Sequence, residues 1–234
     1  MSSMLEKFVE EIKRVCGDNL KSVILYGSKA SGESTKKFSD YNLLLVLNKI
    51  SFQDLKSITS IADKWIKQKN PPPLIFSAER LNKSTDVFPI EFLDMKEHHK
   101  VLYGDDPFTD MQINLRHLRH ECESELKGKL LKLRQGYMNT GGKPSGVREL
   151  LISSVSTFLI VFRHILYLLG RTPPAKRLDA LNMLSEHIKI NTEPFISILK
   201  MKNEEKETSK LDPVVIFEQY IEEIEKIVDF VDDM

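Results

Sequence analysis

Cysteine is almost missing from this chain of 234 residues, which holds only Cys16 and Cys122. Two thiols cannot build a disulfide framework, and both sit among apolar residues at helical spacing, so they read as reduced, buried thiols. An excess of either charge is missing too: 34 Lys and Arg stand against 34 Asp and Glu. That balance excludes the basic footprint of a general nucleic-acid or membrane-surface binder. Long clean apolar runs are also wanting. The most apolar stretch, 150–169, is interrupted by Arg163, His164, Ser153, Ser154, Ser156 and Thr157, and it reads as the central helix of a soluble bundle with no membrane partner. The first eleven residues carry Glu6, Lys7, Glu10 and Glu11 where an export signal needs an apolar core, so a cytoplasmic location is expected. With 41% hydrophobic and 29% charged residues, the chain has the composition of a folded globular protein.

What is present is a change of period. Leu5, Phe8, Val9, Ile12, Val15 and Cys16 recur at helical spacing before Gly17 and predict a first helix. Val23-Ile24-Leu25-Tyr26 and Leu43-Leu44-Leu45-Val46-Leu47 predict two buried strands joined by a polar loop. Ser51 and Asp54 open a second helix with its stripe at Leu55, Ile58, Ile61, Ala62, Trp65 and Ile66, ended by Pro71-Pro72-Pro73. Leu74-Ile75-Phe76 is expected to be a third strand. A fourth is expected at 88–93, interrupted by Glu91. From Thr109 the period becomes helical: one long stripe from Leu115 to Tyr137, a linker at 139–146, the apolar helix, two shorter helices, and a last one capped by Asp212-Pro213. Residues 203–210 read as a charged loop. The chain is therefore expected to be an α+β domain with a small mixed sheet over 1–108, followed by an all-α helical bundle over 109–234.

Gly27-Ser28-Lys29-Ala30-Ser31-Gly32 has the glycine gap of a phosphate-binding P-loop, but Glu33-Ser34 follows where Lys-Ser or Lys-Thr is required. No dinucleotide fingerprint is formed either. A Gly-Ser turn leaving a buried strand still lets a backbone approach a triphosphate, with Lys29, Lys36 and Lys37 nearby. On the strand that follows, side chains alternate, so Asp40 and Asn42 share one face and Tyr41 and Leu43 the other.

The segment Gly27-Ser28-Lys29-Ala30-Ser31-Gly32, a six-residue spacer, then Ser39-Asp40-Tyr41-Asn42-Leu43 resembles the signature of the polymerase-beta-like nucleotidyltransferase superfamily, G-S-x-A-x-G followed by S-D-x-D-L. The helical C-terminal half is similar in plan to that of small-molecule nucleotidyltransferases. The resemblance implies transfer of a nucleoside monophosphate, AMP above all, from an NTP to a hydroxyl of a small molecule or protein, with release of pyrophosphate. It implies nucleotide binding by Gly27, Ser28, Lys29 and Ser39, and a Mg2+ (or Mn2+) site of three carboxylates, two on the strand and one on a later strand. Asp40 and Asn42 occupy the first two positions. Glu91 is the candidate for the third, with Asp94 as runner-up on the opposite strand face; alternatively Glu91 faces solvent. Asn42 stands where the family has Asp, and hard Mg2+ prefers anionic oxygen. Three outcomes stay open: a weakened but usable metal site with impaired transfer, a catalytically inactive nucleotide-binding or partner-binding module, or a structural polar residue where nothing binds.

Other clusters carry less. His117, His120 and Cys122 suggest zinc but lack a fourth ligand. Six basic residues against three acids over 116–134, and seven acids against one base over 218–234, read as solvated helix faces. His98-His99 has no nameable partner in the sequence.

Overall fold

The computed structural model describes residues 3–31, 40–205, 208 and 210–234. The chain divides into two compact units, Met1–Asn114 and Leu115–Met234.

The first unit is built on a four-stranded mixed sheet. Helix α1 (Ser3–Cys16) leads into β1 (Leu20–Tyr26), a single short turn of helix α2 (Ser28–Ser31), and β2 (Asn42–Leu47). Helix α3 (Phe52–Lys67) returns the chain to β3 (Leu74–Ser77); α4 (Ala78–Lys83), α5 (Pro89–Glu97) and β4 (His99–Gly104) follow. The strand order is β3-β2-β1-β4, antiparallel from β1 to both β2 and β4 and parallel from β2 to β3. A parallel pair needs a crossover, and α3 supplies it. Its start is fixed by a reciprocal capping box between Ser51 and Asp54, and its end by the Trp65 indole N–H donating to the Pro71 carbonyl at 2.9 Å.

The sheet is covered on both faces. Val23, Leu25, Leu43, Leu45 and Leu47 meet α1 and α3 through Phe8, Ile12, Ile58 and Trp65. Ile24, Leu44 and Val46 meet Leu81, Phe92, Met95, Phe108 and Met111 on the opposite face. That double burial is why β1 and β2 read as continuous apolar runs instead of alternating ones.

One expectation is corrected. Residues 88–93 are not a strand: Pro89 takes the first position of α5, where its missing N–H costs nothing, and Phe92 and Met95, three residues apart, go into the same core. The fourth strand begins later, at His99. Phe108 and Met111 also belong to the first unit's core, and the helical unit begins at Leu115.

The second unit is helical: α6 (Leu115–Thr140), α7 (Pro144–Leu168), α8 (Arg177–Ser185), α9 (Glu193–Lys202) and α10 (Pro213–Asp232). The segment expected as a linker is reduced to the turn between α6 and α7. Leu118, Cys122, Leu126, Leu130 and Leu133 form the buried stripe of α6. By length and composition α7 does reach what a bilayer crossing requires, with mean hydropathy 1.7, although half of that window is buried within the fold. Tyr220 of α10 packs its ring against Phe158 and Phe195 and its hydroxyl lies 3.3 Å from Ser154 Oγ. The buried Glu223 carboxylate accepts the Asn191 N–H at 2.9 Å and the Lys226 ammonium at 2.7 Å, so this charge is compensated.

Gly104 closes β4 with φ +76°, and a Cβ there would lie 1.8 Å from the Lys21 carbonyl oxygen. Gly104→Ala must therefore both strain the backbone and push β1 away from β4. It should destabilise the first unit by about 2 kcal/mol or more, read as a lower urea midpoint in the fluorescence of Trp65, the single tryptophan. A shift within about 0.5 kcal/mol would contradict this packing.

Candidate functional site

The apolar pattern of the two central strands stops at one end of the sheet, where Tyr26 and Asn42 face each other across β1 and β2. The chain turns there through Gly27 at φ +76°, a conformation that a side chain resists. A Cβ on Gly27 would come 3.0 Å from Asn42 Nδ2, so the amide of Asn42 lies directly on the glycine. The Ala30 N–H donates to the Gly27 carbonyl at 2.8 Å and closes the short turn α2, which Ser28 opens. Ser39, Lys36 and Lys37, together with Glu33 and Ser34, lie outside the described residues.

Alternation along β2 puts Leu43, Leu45 and Leu47 in the core under α1 and α3, with Tyr41 packed beside them. Leu44 and Val46 lie on the other face, and Asn42 falls on that face by the same count. Tyr41 is held from three sides: its N–H donates to Asn70 Oδ1 at 3.2 Å, its ring centroid is 6.0 Å from that of Trp65, and Lys29 Nζ stands 5.0 Å from its centroid. Lys29 is thus a fixed cation beside the turn, resting on an aromatic face. Asp40, just before β2, is exposed to solvent. Burial raises the pKa of the Tyr26 phenol, so this side chain stays neutral.

The third carboxylate is not where a strand would have carried it. Glu91 is exposed on α5, Asp94 is half-buried on the same helix, and neither β3 nor β4 contains an acid. Among the described residues, no three His, Cys, Asp or Glu side chains gather where they could hold a metal ion. Among the described residues the turn offers one carboxylate, Asp40, and one neutral amide, Asn42. A pair of Mg2+ ions draws its affinity from several anionic oxygens, so this donor set does not fit the two-metal centre that the resemblance implies. The zinc reading on α6 fares no better, because burial, with Glu121 and Glu125 adding to it, pushes the Cys122 thiol up to about 12. A thiol of that kind is not a ready thiolate ligand.

The structure also brings together a pair that the sequence does not reveal. His99 pairs with Tyr26 across β1 and β4. Its Nε2 lies 3.1 Å from Asp106 Oδ2 and its Nδ1 3.2 Å from the Lys96 carbonyl, while its ring meets Phe108 edge to face at 4.9 Å. Both ring nitrogens are engaged, so His99 is a brace and not a free base. Asp106 Oδ1 accepts the Phe108 N–H at 2.8 Å. Partial burial pulls the Asp106 pKa upward, but the Phe108 N–H and His99 outweigh it and hold it below the ordinary carboxylate range. A lowered folded pKa means stability that is present above the unfolded value and lost as the pH falls through the folded one. Asp106→Asn should therefore lower the urea midpoint most near neutral pH, with the gap to the natural chain closing as the pH falls through and below the ordinary carboxylate range. A gap that stays constant over that range would contradict the assignment.

No protein-family model and no curated protein matches the chain. Among solved structures, the spectinomycin adenyltransferase of Enterococcus faecialis, crystallised with ATP and spectinomycin, matches with a TM-score of 0.55 and 12% identity, over 94% of this chain and 99% of that one. That likeness shows the fold: a small mixed four-stranded sheet with helices, as in an α+β nucleotidyltransferase domain, followed by a helical region.

Proposed function

We propose that this chain binds a nucleoside triphosphate, ATP foremost, at the Gly27 turn and the start of β2, and that it acts as a nucleotide-binding module on a nucleotidyltransferase fold. The observation that supports it most is the turn itself. A buried strand ends in a glycine at positive φ, the facing side chain is a hydrogen-bonding amide laid on that glycine, and a lysine is fixed beside it. Such a turn admits a phosphate chain close to the backbone. The structural neighbour was crystallised with a nucleotide and a small molecule, and the nucleotide is the part of that pair which this turn can take. A cytoplasmic setting, where NTPs are plentiful, goes with the reading.

Transfer of AMP to a hydroxyl acceptor, small molecule or protein, is the second reading, and the carboxylate kept at Asp40 favours it. The count of acids weighs against it, since Asn42 is neutral and Glu91 stands exposed on α5.

Calorimetry with ATP should show saturable binding. In an assay for pyrophosphate release with Mg2+ or Mn2+ and a panel of hydroxyl acceptors, the chain should stay at the protein-free rate. Asn42→Asp is nearly isosteric and should tighten metal binding in the presence of nucleotide by about tenfold or more without starting turnover. Turnover that appears or rises in Asn42→Asp would replace this reading with that of an impaired transferase. Failure to bind any NTP would remove the nucleotide site.

A further inference from the structure

We infer that the phosphate chain is held at the Gly27 turn directly by protein donors, without a bridging divalent cation. This rests on the nucleotide-binding reading above and specifies its chemistry.

The argument is one of charge and of donor type. In a metal-bridged site, two aspartates at positions 40 and 42 would present a charge of about −2 and would repel a triphosphate unless cations stood between them. Here position 42 carries an amide. An amide has no charge to repel phosphate, and its NH2 offers two donors to phosphate oxygen. Its Nδ2 lies 3.0 Å from where a Cβ on Gly27 would be, so the amide borders the turn and brings its donors to the end of β1. Lys29, in the short turn α2 that follows Gly27, has its Nζ 5.0 Å from the Tyr41 ring centroid and adds a positive charge to this stretch of chain. Turn and amide together suit an anion, and they do not suit a cation.

Asp40 then changes its meaning. As a metal ligand it would be required for binding. Beside a phosphate chain held by donors it is a like charge whose repulsion solvent exposure weakens without removing at close range. The two accounts predict opposite signs for its removal.

The test is calorimetric titration of the full chain with ATP, once in EDTA and once with Mg2+, for the natural sequence and for Asp40→Asn, Asn42→Asp and Lys29→Met. The natural chain should bind ATP in EDTA within about threefold of its affinity in Mg2+. Asp40→Asn should bind about two- to fivefold more tightly in EDTA, the size of one partly screened like charge. Lys29→Met should bind more weakly in both media. Asn42→Asp should lose about tenfold in EDTA and recover with Mg2+, and thermal melting of each variant shows that it is folded. Binding that needs Mg2+ in the natural chain, or that weakens in Asp40→Asn, overturns the inference and leaves the nucleotide site standing. Absence of ATP binding in both media overturns the nucleotide site and the inference together.

Discussion

Everything in the first unit follows from the burial of β1 on both faces. Its side chains from Val23 to Leu25 belong alternately to two cores, one closed by α1 and α3 and the other by α5 and the segment after β4. A strand in that position carries a polar side chain only where it is paired, as Ser22 is with the Asp105 carbonyl, because an unpaired polar group there costs about 2 kcal/mol or more. Polarity is therefore expelled to the strand ends. Tyr26, Gly27 and Asn42 are the first residues released from that constraint on the Gly27 side of the sheet, and the antiparallel register places them together. The location of the site is thus a consequence of core packing, before any ligand is considered.

Legibility in the sequence followed the same physics. β1, β2 and α3 were readable because each carries its own signal: an apolar run of strand length, or a stripe with a capping box at its head. The Gly-Ser turn was readable because glycine and the alternation of Asp40, Tyr41 and Asn42 are local facts. Residues 88–93 misled because Phe, Pro, Ile and Leu serve a buried strand or a short helix equally well. What decided between them was the partnership of Phe92 and Met95 with Leu44 and Val46, far away in sequence. β4 was missed for the opposite reason. His99, Lys100 and Gly104 dilute its apolar residues, and its identity as a strand comes from its hydrogen bonds to β1. The His99 and Asp106 brace, seven residues apart across a turn, has no periodic signature at all.

The consequence for chemistry is a shift in the balance of charge at the turn. The resemblance supplied a site for cations with Glu91 as its third member, and the helix α5 took Glu91 off the strands. With Asn42 neutral, what is left at the turn is a bare backbone, an amide and a lysine, against one exposed carboxylate. On the proposed reading, those groups recognise an anion by donating to it. A fold shared with an adenyltransferase, at 12% identity, thus carries a local site whose donors differ in kind from a metal-binding triad.

The measurement that bears most directly on this account is an amide NMR correlation spectrum of the chain, followed as ATP is added in EDTA with no divalent cation present. The account predicts that the side-chain NH2 signals of Asn42 and the backbone N–H of Gly27 move together and saturate at the same ATP concentration. It is contradicted if those signals stay in place while others respond, or if they move only once Mg2+ is supplied.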